Sequence, residues 1–121
     1  MTPEEMRART KQFALRILKL AEALPRTVSG KTFANQIARS GTSVAANYRA
    51  AGKGRSKAEF IAKLGIAEEE ADETQFWLEM IVESQLVKAG LIQPLLREAR
   101  ELTAIVAASR ISASKPKRIG N

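Results

Sequence analysis

Apolar residues recur at three- and four-residue spacing along almost the whole chain, and no stretch alternates apolar with polar residues over a useful length. That feature restricts the fold to helices, because a half-buried strand needs a period of two. Four prolines and seven glycines are the only strong punctuation in 121 residues. Thr2-Pro3-Glu4-Glu5 reads as a helix start, with Thr2 as cap, Pro3 at the first helical position and Glu5 completing a capping box. Met6, Phe13, Ile17, Leu20 and Leu24 follow at helical spacing until Pro25 stops the pattern, which predicts a first helix over 3–24.

After a connection from Pro25 to Gly30, a second helix is predicted over about 31–51, with Phe33, Ile37, Val44 and Ala51 on one face. Ala34, Ala38, Gly41 and Ala45 line the adjacent face. A row of small residues lets another helix approach closely; Gly41 either serves that approach or interrupts the helix. Gly52-Lys53-Gly54-Arg55 is the next break, and Ser56-Lys57-Ala58-Glu59 is a second capping box. The third helix is predicted to run to Lys88, with Gly90 as its stop, about 48 Å at ~1.5 Å per residue. A fourth starts near Pro94 with Leu95, Ala99, Leu102 and Val106 on one stripe. Short connections make neighbours antiparallel, so the expectation is an all-α, up-and-down four-helix bundle over 1–111 and a basic, disordered tail over 112–121.

Apolar surface on the third helix exceeds what one bundle core can take. Phe60, Leu64, Ala67, Ala71, Thr74, Leu78 and Val82 share one stripe, whereas Ile66, Phe76, Trp77 and Met80 lie well off it. These four are the candidate contact surface for other copies of the chain, since a cluster of exposed aromatic and Met side chains usually marks an interface. Irregular bundle geometry that covers them, or a ligand pocket, are the other readings.

Charge is segregated too. The chain carries 20 Lys+Arg against 13 Asp+Glu, a formal net charge of +7. Between Ala23 and Ala58 there are bases and no acids, whereas residues 59–88 are strongly acidic. Direct pairing of the second segment with the third helix is expected, serving register more than stability. The unpaired positive excess then lies on the first helix (Arg7, Arg9, Lys11, Arg16, Lys19), in the loop Lys53, Arg55, Lys57, and in the tail at Lys115, Lys117 and Arg118. Arg7, Lys11, Lys53, Arg55, Lys57, Lys115, Lys117 and Arg118 are the candidate nucleic-acid contacts.

Several chemistries lose their usual residues. The chain has no His and no Cys, so it lacks the commonest general base, imidazole metal ligands, thiolate sites and disulfides. Glu68-Glu69-Glu70-Ala71-Asp72-Glu73 offers carboxylates at i, i+4 spacing, but di-iron bundles add Glu-x-x-His. A solvated or base-facing acidic surface is the favoured reading, with carboxylate-only Mg²⁺ or Ca²⁺ ligation as the alternative. Gly52 to Lys57 has two glycines and three bases before a helix start, without the glycine spacing of a Walker loop or a preceding strand; it is either an anion contact or a flexible basic loop. Gln36, Ser40, Ser43 and Asn47 edge the second helix with no activating base, which suits interhelical hydrogen bonds better than nucleophilic catalysis. No catalytic, cofactor or metal residues are therefore assigned. The chain lacks the ~20-residue apolar run of a membrane helix and shows no signal peptide, so a cytoplasmic protein without a membrane partner is expected.

Two stretches carry a family resemblance. Phe33-Ala34-Asn35-Gln36-Ile37-Ala38-Arg39-Ser40-Gly41-Thr42-Ser43-Val44-Ala45-Ala46-Asn47 resembles the signature of the four-helix-bundle proteins of the 23S rRNA intervening-sequence family. Ser56 through Leu64, with Glu69, Ala71, Glu73, Thr74 and Phe76-Trp77-Leu78, resembles the third helix of that family. The resemblance spans about residues 10–110 and implies an antiparallel four-helix bundle assembled as a homopentamer. It also implies kinship with the accessory protein of diversity-generating retroelements, a basic pentamer that partners a reverse transcriptase and nucleic acid. The family offers no catalytic set to carry over. Many members have an acidic residue shortly after the position of Asn47; here Tyr48-Arg49-Ala50-Ala51 has none, which makes this segment more basic.

The expectation is thus a non-enzymatic homo-oligomeric bundle, without cofactor, that binds RNA or DNA through its phosphates; the alternative is a protein-interaction scaffold that binds no nucleic acid. With 5% aromatic residues the chain has little with which to stack bases, so binding should be salt-dependent and weakly selective.

Overall fold

The computed structural model describes residues 1–116, in which four helices follow one another: α1 (Pro3–Ala23), α2 (Val28–Ala51), α3 (Lys57–Glu83) and α4 (Ala89–Ser114). At the start of α1, Thr2 Oγ1 accepts from the Glu5 amide at 3.1 Å while the Glu5 carboxylate accepts from the Thr2 amide, so the capping box forms in full. At α3 only half of it forms. Ser56 caps the Glu59 amide, but the Glu59 carboxylate accepts from the backbone of Arg55 instead of Ser56.

Helix boundaries differ from the sequence expectation at four points. Helix α2 begins at Val28, inside the expected connection, because Thr27 caps the Gly30 amide at 3.1 Å. Helix α3 stops at Glu83 instead of 88: Gln85 adopts φ 60°, and the amides of Ser84 and Gln85 turn back onto the carbonyls of Met80 and Val82. Helix α4 starts at Ala89 and carries Pro94 inside it, in the second turn and not at its start. It ends at Ser114, three residues into the stretch expected to be a disordered tail; Lys117 and Arg118 lie outside the described residues.

Side-chain pairs fix the antiparallel register. On α3 and α4, Glu68 meets Arg110 and Gln75 meets Thr103, seven residues forward on one helix and seven back on the other. Helices α1 and α2 approach at the small-residue row, and α2 runs unbroken through Gly41. A Cβ placed on Gly41 would lie 2.7 Å from Ile17 Cγ2 and 3.0 Å from Ile17 Cβ. Ile17 is fully buried, so Gly41 is what lets the two backbones come this close.

The core runs along all four helices through Phe13, Ile17, Ile37, Leu64, Leu78, Ile92 and Leu102. Inside it, buried Thr74 donates to Ser40 Oγ across α2 and α3 at 2.9 Å, and Ser40 donates to the Ile37 carbonyl. Ser43 and Asn47, also expected to bridge helices, instead bond to each other within α2, and Gln36 is exposed. Each helix packs along the next in sequence, whereas α1 and α4 meet over a much narrower strip. Arg9 fastens that strip by donating to Glu98 at 2.8 and 2.6 Å and to Glu101 at 3.0 Å. Arg9, expected among the unpaired bases, is therefore paired, and its guanidinium holds the Glu98 carboxyl below the usual carboxylate range.

Candidate nucleic-acid interface

In an up-and-down bundle the start of α1, the end of α2, the start of α3 and the end of α4 share one end of the molecule. The candidate bases are distributed accordingly. Arg7 and Lys11 stand on the first turns of α1, Lys53, Arg55 and Lys57 on the α2–α3 connection, and Lys115 just past α4, all exposed at that end. Two of the acids there are occupied in caps, Glu5 at Thr2 and Glu59 at Arg55.

Within this end α1 and α2 enclose a cleft of about 770 Å³. Arg7 and Lys11 form one wall, Arg49 and Lys53 the other, and Ala8, Ala45 and Ala46 the floor, with Gly52 beside Arg7. No acidic residue lines it, and none of its four cations has a salt-bridge partner among the described residues. A Cβ on Gly52 would lie 3.8 Å from Arg7 Nη1, so the guanidinium rests across the end of α2. Arg49 was not among the nucleic-acid candidates read from the sequence. Its signal was present, the basic residue directly after Tyr48, but only the helix rotation that turns it toward α1 places it with Arg7 and Lys11. Sitting in the last turn of α2, it also complements that helix's negative end.

The acidic helix divides its carboxylates between two neighbours. Glu70 and Glu73 both take hydrogen bonds from Arg39 of α2, the pairing expected from charge segregation. Glu68 instead receives Arg110 from α4, a partner the local charge pattern did not mark. Among the described residues no three carboxylates converge into a metal-sized group.

The four apolar candidates on α3 do not stand out together. Phe76 is 51% exposed and Ile66 38%, but Trp77 and Met80 are half-buried against the core. The indole leans on Phe33 of α2, ring centres 6.1 Å apart, meets Phe76 edge-on at 4.9 Å, and donates Nε1–H to Glu73 at 3.1 Å. The expectation that one copy alone would expose Trp77 and Met80 together with Phe76 is thus corrected: only Phe76 of the three is exposed, while Trp77 is half-buried against Phe33 of α2 and Met80 against the core. No helix among the described residues is long and apolar enough to cross a membrane.

The family model of the 23S rRNA-intervening sequence protein matches residues 4–108. A crystal structure of a protein with unknown function from the S23 ribosomal protein family of Bacteroides thetaiotaomicron VPI-5482 is similar at a TM-score of 0.85 and 31% sequence identity, covering 92% of this chain and 99% of that one. No curated protein matches the sequence.

Proposed function

The chain belongs to the 23S rRNA-intervening sequence protein family, and on that premise we propose that it is a binding protein, not an enzyme, that grips RNA or DNA by the phosphate backbone through its basic end. The observation that carries this is the α1–α2 cleft: four cations on two facing walls, no acid, and no salt-bridge partner among the described residues. Cations held without counter-charges attract polyanions over long range, and the salt released on contact drives binding. The test is a fluorescence-anisotropy titration of a mixed-sequence oligonucleotide at several salt concentrations. If the four cleft cations each neutralise one phosphate, log K falls against log salt with a slope of about −3 to −4, and each charge removed lowers the slope by about one. Absence of binding at low salt, or binding indifferent to about 0.5 M salt, overturns the reading.

A second observation favours self-association. Phe76 remains outside on α3 against the half-buried indole, with Ile66 exposed about 15 Å away on the same helix; a second copy would cover this apolar surface, and the sequence resemblance favours five copies. Sedimentation of the native chain against Phe76→Ser, which leaves Trp77 in its own bundle, tests this. A native monomer refutes it. An assembly that binds no nucleic acid selects the scaffold reading instead.

A further inference from the structure

The α1–α2 cleft has more charge and more shape than a backbone grip alone requires. Its volume of about 770 Å³ falls in the range of small-ligand sites, in a groove that stays open to solvent on its outer side. Its walls bring four positive charges to one place, whereas the interior of a strand offers a single negative charge per nucleotide. Its floor is three methyl groups, from Ala8, Ala45 and Ala46. A duplex turns its phosphates outward and its sugars and bases inward, which would leave those methyls uncovered. A terminal phosphate is different, because a phosphomonoester carries close to two charges at neutral pH and is attached to only one nucleoside.

We propose that this cleft is a subsite for a nucleoside phosphomonoester, its phosphate held between Arg7, Lys11, Arg49 and Lys53 and its sugar laid on the alanine floor. The inference rests on the reading that this end of the molecule binds nucleic acid, and deepens it by naming strand ends as what the cleft holds. No aromatic side chain lines the site, so the base is not stacked and its identity is not read. The phosphate can come from the end of a strand or from a free mononucleotide.

The experiment compares three versions of one ten-nucleotide single strand, with a 5′-phosphate, a 3′-phosphate or hydroxyls at both ends, on the full chain at constant salt. A phosphorylated end should tighten binding about five- to tenfold. In Lys11→Gln with Arg49→Gln, both exposed positions, that ratio should fall to about one, whereas Lys57→Gln, outside the cleft, should weaken all three strands equally and keep the ratio. Adenosine monophosphate added as competitor separates the sources. Displacement by it, but not by adenosine, admits free nucleotides; failure to displace confines the site to strand ends. Equal binding of all three strands, or a ratio that survives in the cleft variant, overturns this inference and leaves the backbone reading intact. No binding of any strand overturns both.

Discussion

Replacing Gly41 with alanine sets two effects of known size against each other. In an exposed helix the change gains about 1 kcal/mol, because glycine is that much poorer than alanine as a helix former. Here the added methyl would meet Ile17 Cγ2 at 2.7 Å, Cβ at 3.0 Å and Cγ1 at 3.2 Å, where carbon atoms prefer about 3.5–4.0 Å. A rotamer change can move the γ carbons but not Cβ, and Ile17 is fully buried with nowhere to go. Helices α1 and α2 must therefore separate by several tenths of an ångström. Overpacking of this kind costs about 1–3 kcal/mol, and close to 3 for so rigid a contact. The expected net loss is about 2 kcal/mol, or some 6–10 °C in melting temperature for a chain of this length. Thermal melts followed by circular dichroism measure it. In an Ile17→Ala background the two γ-carbon contacts disappear and only the 3.0 Å contact with Cβ remains, so the destabilisation by Gly41→Ala should shrink. A gain in melting temperature in the native background would refute the close approach itself.

Other substitutions probe the joints of the fold. A Cβ on Gly30 would lie 1.8 Å from the Pro25 carbonyl oxygen, so Gly30→Ala must rebuild the α1–α2 connection; a loss of about 3 kcal/mol or more is expected in denaturant titration, and a neutral result would contradict the geometry. Gln85→Gly relieves a left-handed residue at φ 60° and should raise stability by about 0.5–1 kcal/mol in the same assay. Glu98 has a lowered folded-state pKa through Arg9, so its contribution is present above the ordinary glutamate range near ~4.3 and is lost as pH falls through that range and below. The native chain should therefore lose more stability than Arg9→Ala between about pH 5 and pH 3, and parallel pH profiles would count against the pairing.

The helices and their order were legible because period and punctuation agree: Thr2, Pro25, Gly52-Lys53-Gly54 and Ser56 each mark a break by local chemistry. Their limits were less so. The end of α3 is set by a left-handed Gln85, a residue type with no preference for that conformation, and Pro94 looked like a start because proline is favoured in a first turn. Trp77 falls outside the single apolar stripe that the sequence marks on α3. A helix at the corner of a bundle buries a wider arc, which brings in Ile81 and half-buries Trp77. At the basic end the bases were visible one by one. Arg49 joined Arg7 and Lys11 only through the rotation and spacing of α1 against α2, which pairwise contacts such as Gly41 with Ile17 determine.

Because α1 and α4 touch so sparingly, the molecule is better pictured as a row of four rods curled until its outer members nearly meet than as a sealed tube. The inner rods are gripped on two sides and the outer ones chiefly on one. The rod that supplies Arg7 and Lys11 is thus among the least constrained, held to its far neighbour mainly by a guanidinium clasp. Acid strong enough to protonate Glu98, below the ordinary carboxylate range, would free that rod first, so the capacity to seat an anion and the sensitivity to protons are properties of the same piece of chain.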